Sequence, residues 1–484
     1  MGTCGVKHQK TNGLARSLSL ALVVGALALL ARGAAPRTVA AAGDTFLRLT
    51  TNLSDSASLL SAYPDVAVSA NGQYIAVAWQ EQASGDGEKA GYIYVRCAQE
   101  GSSQGWGVKT AVPGSYNKQT QLRGQTPAVA LDGNALHVVW SGGYNGEYNY
   151  IYYQYATIEA DSSLKWPSGV VQIVASVANT ELSTPDVALD ENGRPHVVWQ
   201  QEAASGERQV YYSRHNGTAW QASQQVSLLT GDDNRAPAIA VWGTTAYVVW
   251  VALQDDGTGD DTGRVYFANS SNWSGSVKSV YDGLNDHRYK ARNPAIAMIY
   301  EAGKEVLWVG VAWDVWEDVN DNGDVDSGDR WWLYYRRSVD GGSTWETRQS
   351  LGSTFYPHAA GGDEYVQSVR PSLFYSPDPD DMMPHIALAR SSSSNFSGGM
   401  STYHYAYDGA SWSSQIMPLG STASSNERGA ARLVIGAYDG EFHPHYVYQA
   451  VVGQVSGQNR WDVFYTSDVI YYQVRLPIVM RNHD

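Results

Sequence analysis

Cysteine is nearly absent from this chain, which excludes the disulfide framework that staples many exported domains. Only Cys4 and Cys97 occur among 484 residues. Cys4 lies ahead of an apolar run in what reads as a removable leader, so it is not placed as a lipid-anchoring cysteine. Cys97 then stands alone, and the remaining chain closes no internal disulfide. Such a fold rests on a large core or on bound metal, and roughly 440 residues supply ample chain for a core.

Long apolar runs are equally scarce. Lys7, Lys10 and Arg16 precede one such run, Leu18 to Leu30. It is short for a bilayer, which takes about 20 apolar residues. Small residues follow, and Ala40-Ala41-Ala42 ahead of Gly43 offers a cleavage site. Residues 1–42 therefore read as a signal peptide, with an uncleaved membrane anchor as the alternative. No later segment is apolar enough to span a membrane, so a secreted, extracellular protein is expected.

Positive charge is thin. The leader holds five bases and no acid, which leaves 28 Lys+Arg against 48 Asp+Glu, a balance near −20. That balance excludes nucleic acid as a partner, because phosphates reward basic patches. It favours solubility and attracts cations.

Helical periodicity is missing after the leader, and a repeat stands in its place. The phrase is a proline, an alternating apolar strand, a Gly/Asn/Asp turn, then a second strand ending in Trp. It runs from Pro64 to Trp79, Pro127 to Trp140, Pro185 to Trp199, Pro237 to Trp250 and Pro294 to Trp313. Looser copies begin at Pro371 and near Arg432. A Tyr-rich third strand follows each, as at Tyr150-Ile151-Tyr152, and a fourth comes after a turn ending in Trp220, Trp273, Trp345 or Trp412. Period-2 alternation between turn signals predicts antiparallel sheet.

Repeated four-stranded units predict an all-β fold, a β-propeller of antiparallel blades over residues 43–470. Seven blades is the count, and six the alternative. The last unit lacks a fourth strand, and Phe46–Thr50 is an orphan strand that would complete it, closing the ring and hiding an edge. Residues 471–484 form an apolar-basic tail. His137, His196, His385 and His445 recur because the repeat recurs, which points to packing and hydrogen bonding rather than to a metal cluster.

Two motifs carry more local chemistry. Ser338-Val339-Asp340-Gly341-Gly342-Ser343-Thr344-Trp345 matches the Asp box, Ser-x-Asp-x-Gly-x-Thr-Trp. Asp340 can accept amides of its own turn, Gly342 can take positive φ, and Trp345 can pack between strands. A degraded copy ends at Trp220 and a shortened one at Trp412. The stretch from Asp318 to Asp329 fits a 12-residue calcium loop of EF-hand and dockerin type. Its ligands would be Asp318, Asn320, Asn322, Asp324 (backbone), Asp326 and Asp329, with Gly323 at the turn. The loop from Asp255 to Asp261 is a poorer second candidate. Ca²⁺ is expected to order the loop.

On these motifs the chain resembles the bacterial neuraminidase (sialidase) repeat superfamily across its mature length. The resemblance implies that the boxes lie on the face opposite the active site, so Asp340 is structural. It also implies a carboxylate-binding arginine triad, an Asp acid/base and a Tyr-Glu nucleophile pair. Near-matches to the first triad motif are Arg235-Ala236-Pro237, Arg292-Asn293-Pro294 and Arg370-Pro371. Several guanidiniums aimed at one cavity would hold a carboxylate bidentately. The chain departs from the family in having no Arg-Ile-Pro and no identifiable Tyr-Glu pair or Asp acid. The expected function is binding of extracellular glycans or small anionic ligands through Arg235, Arg292 and Arg370. Trp332 would stack on sugar rings, with Trp316 and Trp331 beside it. The alternatives are a sialidase-like exo-glycoside hydrolase and a structural cell-surface protein.

Overall fold

Alternating β-branched and aromatic residues fold as their period requires, into antiparallel strands. The computed structural model describes residues 51–55, 61–82, 91–100, 105–117, 122–144, 147–167, 172–202, 206–228, 233–255, 261–283, 286, 288–321, 329–355, 371–376, 382–391, 400–416, 428–438, 441–455 and 458–467. All fall in one compact unit, Arg48–Asp484. Phe46–Thr50, residues 1–42 and residues 471–484 lie outside them.

Seven strand sets follow one another. In unit 1 they are Ser61–Val68, Tyr74–Gln82, Gly91–Gln99 and Thr110–Ala111. Unit 2 has Arg123–Asp132, Ala135–Gly143, Tyr150–Ile158 and Gln172–Ser176, and unit 3 has Leu182–Leu189, Pro195–Glu202, Arg208–Arg214 and Gln224–Gln225. Unit 4 has Asp233–Trp242, Thr245–Asp255, Asp261–Asn269 and Lys278–Tyr281. Unit 5 has Tyr289–Glu301, Val306–Glu317, Arg330–Ser338 and Gln349–Phe355. Unit 6 has Ser372–Tyr375, Pro384–Ser391, Met400–Tyr407 and Trp412–Ile416. Unit 7 has Arg428–Tyr438, Glu441–Val455 and Gln458–Ser467, and Thr51–Asn52 pairs antiparallel with its third strand. One helical turn, Trp273–Ser276, departs from the all-strand expectation, capped where Asn272 Oδ1 accepts from Gly275 N.

Among the described residues, no sheet closes on itself. Single-residue pairings such as Gly91 with Gly124 and Phe355 with Ser391 join some units into longer sheets. First strands of successive units lie side by side, and that of unit 7 lies beside that of unit 1. They surround a cavity of about 490 Å³ whose wall includes Pro64, Pro127, Pro185, Pro237, Pro294 and Pro371.

The repeated proline has a backbone consequence. It offers no N–H to the ladder, and a bulge absorbs the gap. The residue ahead of it takes positive φ five times: Tyr63 (54°), Thr126 (47°), Thr184 (48°), Ala236 (50°) and Asn293 (45°). Register shifts at these points in all five ladders.

Apart from single-residue pairings such as that at Gly124, the first strand is a sheet edge, so its outer amides need other partners. Asp65 Oδ2 accepts from Val129 N of the next unit, and Asp186 Oδ2 from Ile239 N, both at 2.9 Å. Gln80 and Gln200 reach across to the bulge amides of Thr126 and Ala236. Ser372 Oγ exchanges hydrogen bonds with Leu433 N and O.

The core sits between units. Trp79, Trp140, Trp199, Trp250 and Trp313 are fully buried within second strands, which continue past each Trp instead of ending there. One cluster joins units 1 and 2 through Val95, Cys97 and Trp140, and another joins units 7 and 1 through Val463, Tyr465 and Trp79.

Candidate functional site

Strand register separates the two ends of each unit. In unit 5, Arg330 pairs with Glu317 at one end of the third strand and Ser338 with Val309 at the other. Arg292 pairs with Asp314, close to the Glu317 end. Arg292, Trp332 and the loop opening at Asp318 therefore share one end, and the Asp340 turn occupies the opposite one. Arg292 and Arg235 each stand two residues ahead of a proline lining the cavity, and Arg370 one residue ahead of Pro371.

Arg292 lies over two indoles. Its guanidinium carbon is 4.9 Å from the Trp316 ring centroid and 5.5 Å from that of Trp331. Lys290 Nζ also lies over Trp316, at 5.1 Å. Both indoles are buried, at 2% and 3% exposure, so they support the cations from beneath and offer no ring face to a sugar. Trp332 is half-buried and stacks on Tyr334, and its Nε1 donates to Glu317 Oε2 at 2.7 Å.

Glu317 also accepts from Tyr289 OH at 2.9 Å. Nothing in the sequence singled out this Tyr-Glu pair, because antiparallel register alone brings the two together. Burial and the Glu317 carboxylate hold the Tyr289 hydroxyl above its ordinary range, the reverse of what a nucleophilic tyrosine needs.

Arg235 has a different setting. Its Nε donates to Asp233 Oδ2 at 2.7 Å, its Nη2 reaches the same oxygen, and Arg208 shares that carboxylate. Nearly half its side chain remains exposed. Arg370 lies outside the described residues, so only two of the three predicted guanidiniums are placed.

Of the predicted calcium ligands, Asn322, Asp324 and Asp326 lie outside the described residues. Asp318 is 2% exposed and Asp329 fully buried, whereas Asn320 is exposed. Asp329 Oδ1 accepts from Val319 N at 3.1 Å and Oδ2 from Trp316 Nε1 at 2.9 Å. The last position of the loop thus folds back on its start, as a 12-residue cation loop requires. Asp318 and Asp329 thus place buried carboxylates at the two ends of the loop, and carboxylate oxygens are the donor type a hard cation takes. Among the described residues, no three His, Cys, Asp or Glu side chains group to hold a metal. Residues 256–260 of the second candidate loop lie outside the description.

The opposite end is built of turns. Asp340 Oδ1 accepts from Thr344 N and Ser338 Oγ at 2.8 Å, and Oδ2 from Thr344 Oγ1 at 2.6 Å. Burial pushes this carboxyl up, but the hydrogen bonds from Thr344 and Ser338 outweigh it and hold Asp340 below its ordinary range. With its donors committed to the turn, it has a structural setting. Asn216 and Asp408 close their turns in the same way.

The repeated histidines are interior. His137, His196 and His445 pair through Nδ1 with Tyr153, Tyr212 and Tyr465, at 2.7–2.8 Å. His385 Nδ1 instead meets His404 Nε2 at 2.9 Å, and His404 Nδ1 meets Tyr446 OH at 3.2 Å, joining units 6 and 7.

No family model matches the chain, and no curated protein matches it. Solved structures do resemble it. A Penicillium chrysogenum α-L-arabinanase, solved with arabinobiose, is 11% identical, covering 86% of this chain and 98% of that one, with a TM-score of 0.45. A Fusarium graminearum α-L-arabinofuranosidase, also with arabinobiose, is 8% identical over 87% of this chain and 97% of its own, with a TM-score of 0.47. The Trypanosoma rangeli sialidase is 10% identical over 85% of this chain and 55% of its own, with a TM-score of 0.42. With TM-scores below 0.5, none of these likenesses decides an activity.

Proposed function

We propose that the chain is an exported, closed seven-bladed β-propeller that binds extracellular glycans or other anionic ligands without cleaving them. The binding end is the one carrying Arg292 and Trp332, and a calcium ion braces the loop from Asp318 to Asp329. The observation that carries the reading is Arg292 over two buried indoles, two residues from the cavity wall. Rings beneath a guanidinium fix the orientation of its plane, and that planar group matches a carboxylate bidentately. Seven first strands around one cavity, with a core joining units 7 and 1, support the ring. The basic-apolar leader supports export, and the loop spacing with its two buried end carboxylates supports calcium.

Glycan-array binding of wild type, Arg292→Ala and Trp332→Ala tests the site. Binding that falls about tenfold in each variant, a loss of about 1.4 kcal/mol, supports it; binding unchanged in both removes it. A fluorogenic sialoside hydrolysed by wild type but not by Arg292→Ala would replace binding with a hydrolase. For the metal, a chelator should lower the melting temperature and millimolar calcium restore it. An unchanged melt with no calcium bound removes that part.

A further inference from the structure

The end opposite Arg292 carries its own irregularity. Five residues after the repeat proline, the strand turns, and units 1, 2, 3 and 6 place Ser69, Asp132, Asp190 and Ser376 there. Such residues cap their own turns: Asp190 Oδ1 accepts from Asn192 N and Arg194 N, and Ser69 Oγ from Tyr74 N. Unit 4 has Trp242 at that position, and the longer unit 5 has Tyr300 one residue further on. Neither side chain can replace the cap.

The two rings stack across the unit boundary, with centroids 5.0 Å apart and planes 27° from parallel. Trp242 remains 43% exposed although Tyr300 stacks on its indole. Charged groups flank the pair. Glu191 N donates to Gly243 O on one side, and Lys304 Nζ pairs with Glu301 at 2.8 Å on the other.

We propose that Trp242, backed by Tyr300, forms a stacking platform for a neutral hexose-containing glycan, a second site independent of the Arg292 end. A quaternary ammonium calls for aromatic walls around it, whereas a stacked pair can offer a ligand only the outer face of one ring. An apolar sugar face fits a flat ring, and its hydroxyls find an acceptor in Glu191 and both donor and acceptor in the Glu301–Lys304 pair. The carboxylates of Glu191 and Glu301 beside the pair oppose an anionic chain at this end, which favours a neutral one.

The test titrates the full chain with three neutral hexasaccharides, built of glucose, mannose or xylose, by calorimetry. A hexaglucoside or hexamannoside that binds wild type and Arg292→Ala alike, but Trp242→Ala about tenfold more weakly, supports the platform. Glu191→Gln should weaken binding less. Because Trp242 is surface-exposed, an unchanged melting temperature shows that its variant is folded. The proposal is overturned if no neutral hexasaccharide binds, if the xylose oligomer alone binds, or if binding is lost in Arg292→Ala rather than Trp242→Ala. It is also overturned if hexalysine binds in the sugar's place and that binding needs Trp242.

Discussion

Trp106 meets Tyr465 edge-on, with ring centroids 4.6 Å apart and planes at 73°. The same contact recurs at Trp220 on Tyr153, Trp273 on Tyr212, Trp345 on Phe267 and Trp412 on Tyr335, at 5.1–5.3 Å. In each, a tryptophan near the start of a fourth strand reaches the third strand of the preceding unit. Trp106 belongs to unit 1 and Tyr465 to unit 7, so this copy joins the two ends of the described chain.

That contact predicts where stability is vulnerable. Replacing a fully buried Trp with Ala costs about 3–5 kcal/mol, and half-buried Trp106 should cost about 2 kcal/mol. Urea unfolding of Trp106→Ala should show at least the loss seen in Trp220→Ala. A Trp106→Ala protein as stable as wild type would mean that this junction adds nothing.

The inner amides predict a second, polar vulnerability. Asp186→Ala removes the acceptor for Ile239 N and should cost about 1–3 kcal/mol, the range for an orphaned buried donor. Asp186→Asn keeps an acceptor oxygen and should recover most of it. Thermal melts that place both variants together would argue against the amide as the cause.

The strand order was legible because the alternation of Val, Ile and Tyr with turn residues leaves little choice. The His-Tyr pairs were half legible: recurrence marked the histidines as interior, but their partners lie on another strand. The bulge ahead of each proline was not read, since positive φ at Thr126, Thr184 or Ala236 arises from the ladder's response to a missing N–H. Burial of Trp316 and Trp331 also escaped the sequence. Three tryptophans beside a loop look alike in one dimension, and only the register sends two inward and leaves Trp332 partly open.

Two turn glycines should separate backbone from side-chain effects. Gly342 has φ 92° and Gly409 has φ 90°. A Cβ at Gly342 would overlap the Phe267 ring, whereas at Gly409 the nearest atom, Met383 Cε, stands 3.6 Å away. Gly409→Ala should therefore cost about 1 kcal/mol, the conformational term alone. Gly342→Ala should cost clearly more, about 2–4 kcal/mol with overpacking added. Equal losses in calorimetric melts would mean that Phe267 moves aside freely.

Acid should unfold this protein earlier than its carboxylates alone require. Burial holds His137, His196 and His404 down at about 4 and His385 at about 3. In the unfolded chain each returns to about 6.5. Between those values the unfolded state binds more protons, so stability rises with pH. It is fully present above pH 6.5 and is lost as pH falls toward 4, with each histidine contributing up to about 1.4 kcal/mol per pH unit. Melting temperatures should hold steady from pH 8 to pH 7 and then drop steeply. His196→Gln keeps a polar partner for the Tyr212 hydroxyl and removes one titrating group, so its drop should be shallower. A slope identical to wild type would show that His196 is already charged in the fold, and the interior Tyr212–His196 pair would need a different account.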